Sequence, residues 1–231
     1  MAARGGHLFI LRWLHDHGVS MCRTNQIGNT PLHEAALVGH AQVVQWLTTL
    51  GANLEDRNHK GLTCTHLIVC SGNVALLEWL YQLNPKCLRH RDRVVSAAFR
   101  HRATTTDNEQ GNCALHYAAS KGQIEMMNWL VDHGLRPSTR NMAGDTILHT
   151  ATLSGSIAAL DWARIRHISV QSVNGLNQTA VHFVAKHGNV HLLKWLLRHG
   201  AQRDVVDIHV SLATTRYCCD TTDTKQGSNS L

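Results

Sequence analysis

The side chains with the most chemistry to offer in this sequence are its 18 histidines and seven cysteines. Imidazole nitrogens and thiolates are the usual ligands of zinc, which wants three or four of them converging on one point. Five of the histidines, His33, His66, His116, His149 and His182, recur at regular steps along the chain. Equivalent positions of successive units lie side by side, so these rings line up without converging. Their expected use is a hydrogen bond from each imidazole to the backbone of the adjoining turn. His15, His17, His90 and His101 have no Cys or His at ligand spacing and read as solvated. The cysteines, Cys22, Cys64, Cys70, Cys87, Cys113, Cys218 and Cys219, are odd in number and contain no C-x-x-C pair. Neither a zinc site nor a redox pair is indicated, and no metal or cofactor is expected.

Other chemistry is equally thin. The chain has no G-x-S-x-G elbow, phosphate loop, H-E-x-x-H pair or kinase signature, so it is not expected to be an enzyme. Six tryptophans, Trp13, Trp46, Trp79, Trp129, Trp162 and Trp195, share one column. Such a stripe can stack bases or peptides. The large area an indole buries favours packing between neighbouring outer helices.

The elements that position these residues follow from a repeat. Units begin at Gly28, Gly61, Gly111, Gly144 and Asn177, and three of the four steps between them are 33 residues. Each column histidine stands five residues after its start, and a glycine (Gly39, Gly72, Gly122, Gly155, Gly188) stands 11 after. Each tryptophan from Trp46 onward stands 18 after, and an asparagine (Asn25, Asn58, Asn108, Asn141, Asn174) stands three before. In 28–60, Thr30 is a ready N-cap and Pro31 suits a first helical position. Leu32, Ala35 and Ala36 form one stripe of a short helix that Gly39 ends. A second helix over 41–50 turns Val43, Val44 and Leu47 inward, and Gly51 ends it. Two short helices bury too little apolar surface alone, so each unit needs neighbours.

Thr30-Pro31-Leu32-His33-Glu34-Ala35-Ala36 resembles the T-P-L-H-x-A signature of the ankyrin repeat. Looser copies follow at Thr63-Cys64-Thr65-His66, Cys113-Ala114-Leu115-His116, Thr146-Ile147-Leu148-His149 and Thr179-Ala180-Val181-His182. The resemblance covers roughly residues 2 to 208. It implies an all-α solenoid of helix-turn-helix pairs with β-turn fingers. It also implies a non-enzymatic scaffold or adaptor that binds a partner protein in the concave groove of fingertips and first helices. Carried over by register, groove positions are Gln26, Ile27, Asn29, Leu37 and Val38, then His59, Lys60 and Leu62. The next units offer Glu109, Gln110, Asn112 and Lys121, then Met142, Asp145 and Leu153, and last Leu176, Gln178, Lys186 and His187.

The expected organisation is a truncated repeat at 1–27, repeats at 28–60 and 61–84, a basic insertion at 85–107, repeats at 111–143, 144–176 and 177–209, and a disordered Thr/Ser/Asp-rich tail at 210–231. The first unit lacks the start of its first helix, so the chain is expected to be an isoform or fragment of a longer array. In 144–176 the helix reaching Trp162 lacks the glycine found elsewhere, with His167 in its place, and is expected to be the least stable. The insertion carries Lys86, Arg89, Arg91, Arg93, Arg100 and Arg102. With a net charge of +6, it makes nucleic acid or an anionic surface the alternative partner, one whose binding falls steeply with salt. A second alternative is the regulatory part of a larger protein. No apolar run reaches the roughly 18 residues of a membrane span. A monomer in the cytoplasm or nucleus is expected, in keeping with unpaired cysteines.

Overall fold

The computed structural model describes residues 1–85 and 111–202. Lys86, Arg89, Arg91, Arg93, Arg100 and Arg102 of the expected insertion, Glu109 and Gln110, and the tail expected at 210–231 lie outside the described residues. The chain runs α1 (Leu8–Asp16), α2 (Pro31–Val38), α3 (Ala41–Thr49), α4 (Cys64–Ser71) and α5 (Val74–Leu83). It continues as α6 (Ala114–Ser120), α7 (Ile124–Asp132), α8 (Ile147–Ala151) with a 3-10 turn (Thr152–Ser154), α9 (Ile157–Ile165), α10 (Ala180–His187) and α11 (Val190–Arg198). The described residues contain no strand, only an isolated bridge between Arg140 and Thr146.

Helix ends follow the residue types. The Thr30 hydroxyl accepts from the backbone N–H of His33, and Pro31 opens α2. Gly39 ends α2 at φ 87°, a left-handed conformation that only glycine takes at little cost. The second helices α1, α3, α7 and α11 close on a left-handed glycine, whereas Asn84 after α5 stays at φ −142°. After α9 that position falls on His167, at φ 59°. There the His167 N–H reaches the Arg164 carbonyl and the Ile168 N–H the Ala163 carbonyl, the double bond of a Schellman turn. α9 thus keeps nine residues. The irregularity lies in its partner α8, which is five residues long before the 3-10 turn. Thr150, Thr152 and Ser154 each donate a hydroxyl to the carbonyl three residues earlier, and such bonds compete with the helical ladder.

Packing is single-file. α2 lies against α4, α4 against α6 and α6 against α8, while each first helix also packs on its own second helix. The first helices bury small side chains such as Ala35, Ala36, Ala118, Ala119 and Ala151. The second helices bury larger ones such as Leu47, Leu77, Leu80, Met126, Met127 and Leu130. The first helices add Leu32, Ile68, Leu115, Ile147 and Leu148 to those small residues, so large side chains fill the core from both helices of a unit.

The tryptophans contribute to this joint. Trp162 Nε1 donates to Asn128 Oδ1 at 2.7 Å, and Trp129 Nε1 donates to Glu78 Oε2 at 2.5 Å. Both bonds tie one second helix to the one before it. Four residues on, a further side chain covers the ring: His133 stacks on Trp129 at 3.8 Å, His199 on Trp195 at 4.1 Å and Arg166 over Trp162 at 4.0 Å. His17, expected to be solvated, does the same on Trp13 at 3.9 Å while its Nδ1 bonds the Trp13 carbonyl at 2.7 Å. A flat ring that also caps the helix end explains that placement.

Two stability outcomes are expected. His167→Gly relieves the left-handed strain and raises the unfolding free energy by about 1 kcal/mol, measured by urea titration. Trp162, 4% exposed, costs about 3–5 kcal/mol on truncation to Ala. Trp13, 53% exposed, costs far less; equal losses at the two positions would contradict the packing role.

Candidate functional site

His33, His116 and His149 are joints between units, whereas the buried Nε2 of His182 has no hydrogen-bond partner among the described residues. Main-chain Thr30 N–H donates to His33 Nδ1 at 3.2 Å, and the Thr30 hydroxyl lies 2.8 Å from the same nitrogen. The opposite nitrogen, Nε2, faces the carbonyls of Asp56 at 3.1 Å and Leu62 at 3.2 Å, in the finger of the next unit. Nδ1 is therefore the acceptor and Nε2 carries the proton. His116 Nε2 meets the Asp145 carbonyl at 3.2 Å and His149 Nε2 the Gln178 carbonyl at 3.0 Å. These are the backbone bonds that the register predicts, and they occupy both nitrogens a metal would need. Among the described residues no three His, Cys, Asp or Glu side chains gather as metal ligands.

Burial pushes the His149 imidazole below its ordinary value of 6.5, against the opposing pull of the Gln178 carbonyl and Asp145. On α4, burial pushes the Cys70 thiol up, with Lys121 acting the other way. A thiol held protonated is a poor nucleophile.

The fingers are built by asparagines, a role the spacing alone did not disclose. Asn58 Oδ1 accepts from the N–H groups of Lys60 and Leu62, both at 2.9 Å, and Asn174 Oδ1 does so from Leu176 and Gln178 at 2.9 Å. Each such carbonyl shapes a tight turn. The amide nitrogens then reach back one unit. Asn58 Nδ2 donates to Asn29 Oδ1, Asn141 to Asn112 and Asn174 to Asp145, all at 2.8 Å. Neighbouring fingers are also joined directly, His59 N–H to the Ile27 carbonyl at 3.1 Å and Gly175 N–H to the Ala143 carbonyl at 2.7 Å.

This ladder corrects part of the expected groove. Asn29 and Asp145 are buried and turned into the joint, and Asn112 is half-buried in the same role. Their polar side chains satisfy the next finger and do not face solvent. Leu37 and Leu62 are half-buried and pack on the core. Gln178 is half-buried. The exposed members are Gln26, Ile27, Val38, His59, Lys60, Lys121, Met142, Leu153, Lys186 and His187. Leu176 stands exposed beside them at the next fingertip. These positions fall in two rows, one on the fingertips and one at the ends of the first helices.

The His149 shift has a signed consequence. The unfolded chain binds a proton near pH 6.5 that the folded chain resists, so stability is lost as pH falls below 6.5. A plot of urea midpoint against pH from 7 downward is expected to be shallower for His149→Gln than for the parent. Parallel slopes would refute this.

Comparison with known proteins agrees with the geometry. Family models described as "Ankyrin repeats (many copies)", "Ankyrin repeats (3 copies)" and "Ankyrin repeat" match residues 1–48, 66–171 and 176–208. No curated protein matches the chain. Among solved structures, the chain is similar to the ankyrin repeat domain of Bcl-3, a member of the IkappaB protein family. That match has 20% identity and a TM-score of 0.55, and covers 92% of this chain and 90% of that one. It is also similar to the human ASB11 ankyrin repeat domain, with 22% identity and a TM-score of 0.64, covering 92% of this chain and 87% of that one. Stacked helix pairs, joined finger to finger and matched by these models along most of the chain, show that this protein belongs to the ankyrin repeat family.

Proposed function

We propose that this chain is a scaffold or adaptor that holds a partner protein along the groove between its fingertips and first helices. Ankyrin repeats in general are protein–protein interaction modules. The observation that carries the finer reading is a set of exposed apolar side chains at the fingertips and the ends of the first helices. Ile27, Val38, Met142, Leu153 and Leu176 are 40–48% exposed. Ile27 and Leu176 hold the same register position and Met142 lies one residue from it, while Val38 and Leu153 lie one residue apart in register at the ends of their first helices. Grouped exposed apolar side chains mark interaction surfaces. No helix of the described residues is long and apolar enough to cross a membrane, so that surface is not accounted for by a spanning segment.

Ile27→Ser, Val38→Ser, Met142→Ser and Leu153→Ser combined test the groove. Leu37 and Leu62 are left intact because they pack on the core. Photo-crosslinking of the native chain, with the variant alongside, is expected to show partner adducts lost from the variant while helical circular dichroism and melting stay the same. Adducts of equal yield in both would overturn the groove.

A further inference from the structure

The two long sides of the stack differ in charge. Among the described residues, Asp16, Glu78, Glu125, Asp132 and Asp161 sit on second helices, and Glu55 and Asp56 in the loop after α3. On the side of the fingers and first helices stand Glu34 and Asp145, with Asp56 in the finger that meets His33, and each of the three accepts from an asparagine amide. Glu34 Oε1 accepts from the amides of Asn25 and Asn29, both at 2.8 Å. Asp145 accepts from Asn174 at 2.8 Å and Asn141 at 3.0 Å. The cations there are not so engaged. Lys60 on a fingertip, Lys121 at the end of α6 and Lys186 on α10 are exposed. None of the three has a carboxylate within ion-pair distance among the described residues.

The order along the groove is specific. Ile27 and Val38 come first, Lys60 and Lys121 next, then Met142 and Leu153, and Lys186 last, beside Leu176. We infer that the groove is built for an acidic segment with apolar anchors, its carboxylates meeting Lys60, Lys121 and Lys186 and its apolar side chains meeting the two apolar clusters. This inference rests on the groove reading above and names the chemistry of its occupant. Charge complementarity supplies the argument, because exposed ammonium groups with no carboxylate at ion-pair distance among the described residues repel basic partners and speed the approach of acidic ones. Units stacked at about 10 Å put five successive units over about 40 Å, a span for about 12 extended residues.

The test is selection of random peptides of about that length, displayed on their own messenger RNA, against the full chain, followed by affinity measurement on the resynthesised winners. Enriched peptides are expected to carry net negative charge with apolar residues flanking it. Lys60→Glu, Lys121→Glu and Lys186→Glu together are expected to weaken them by about tenfold or more, and added salt to weaken them further. The Ile27→Ser, Val38→Ser, Met142→Ser, Leu153→Ser variant is expected to weaken them similarly. Neutral or basic winners, no enrichment at all, or indifference to the charge reversal overturns the inference. Neutral winners that still fail on the serine variant leave the groove standing without its acidic preference. Acidic winners that ignore the serine variant remove the groove and this inference with it. A short single-stranded oligonucleotide held by the same three lysines more tightly than any peptide assigns them to phosphate and also overturns it.

Discussion

Every unit of this protein is held by what its neighbour extends to it. Asn58, Asn141 and Asn174 each bend their own finger with one amide atom and use the other to grip the previous finger at 2.8 Å. His33, His116 and His149 add a second bond from the first helix to the next finger. In a linear array each unit touches only the units beside it, so stability is a sum of intrinsic terms and joints. The joints are polar and specific at the fingers, and apolar under the helices. A buried amide without its partner costs about 1–3 kcal/mol, so a slip of one unit against the next is disfavoured at every finger at once.

Much of this was legible in the residues. Thr30-Pro31 and Gly39 state where a helix begins and ends because caps are local chemistry. The recurrence of Val43, Val44 and Leu47 states which face is buried. The histidine bonds to the adjoining turn also followed, since rings one unit apart cannot share an ion. Other features were not legible. Asn29 and Asp145 look like solvent-facing tip residues, yet both turn inward, because an amide one unit later seeks an oxygen there. That partner is 29 residues away, and no local pattern announces it. The missing glycine at His167 suggested a weak helix. In the structure His167 adopts the glycine conformation, and the disturbance appears in α8, where three hydroxyls compete for backbone carbonyls.

The groove combines the two kinds of legibility. Register placed Ile27, Val38, Met142, Leu153, Lys60, Lys121 and Lys186 on one side, and the structure shows them exposed there. The separation of charge between the two sides could not be read from composition. A net charge of +6 says nothing about where the carboxylates are. It emerges only when Lys60, Lys121 and Lys186 are seen exposed with no carboxylate at ion-pair distance among the described residues.

The joint between α5 and α7 is crossed by Trp129 and Glu78, and Gln123 Nε2 reaches the Cys70 carbonyl at 3.3 Å. Two units far apart in the chain thus dock as immediate neighbours do. Register at this seam is therefore kept by the helices that meet there, whatever number of residues joins them along the chain.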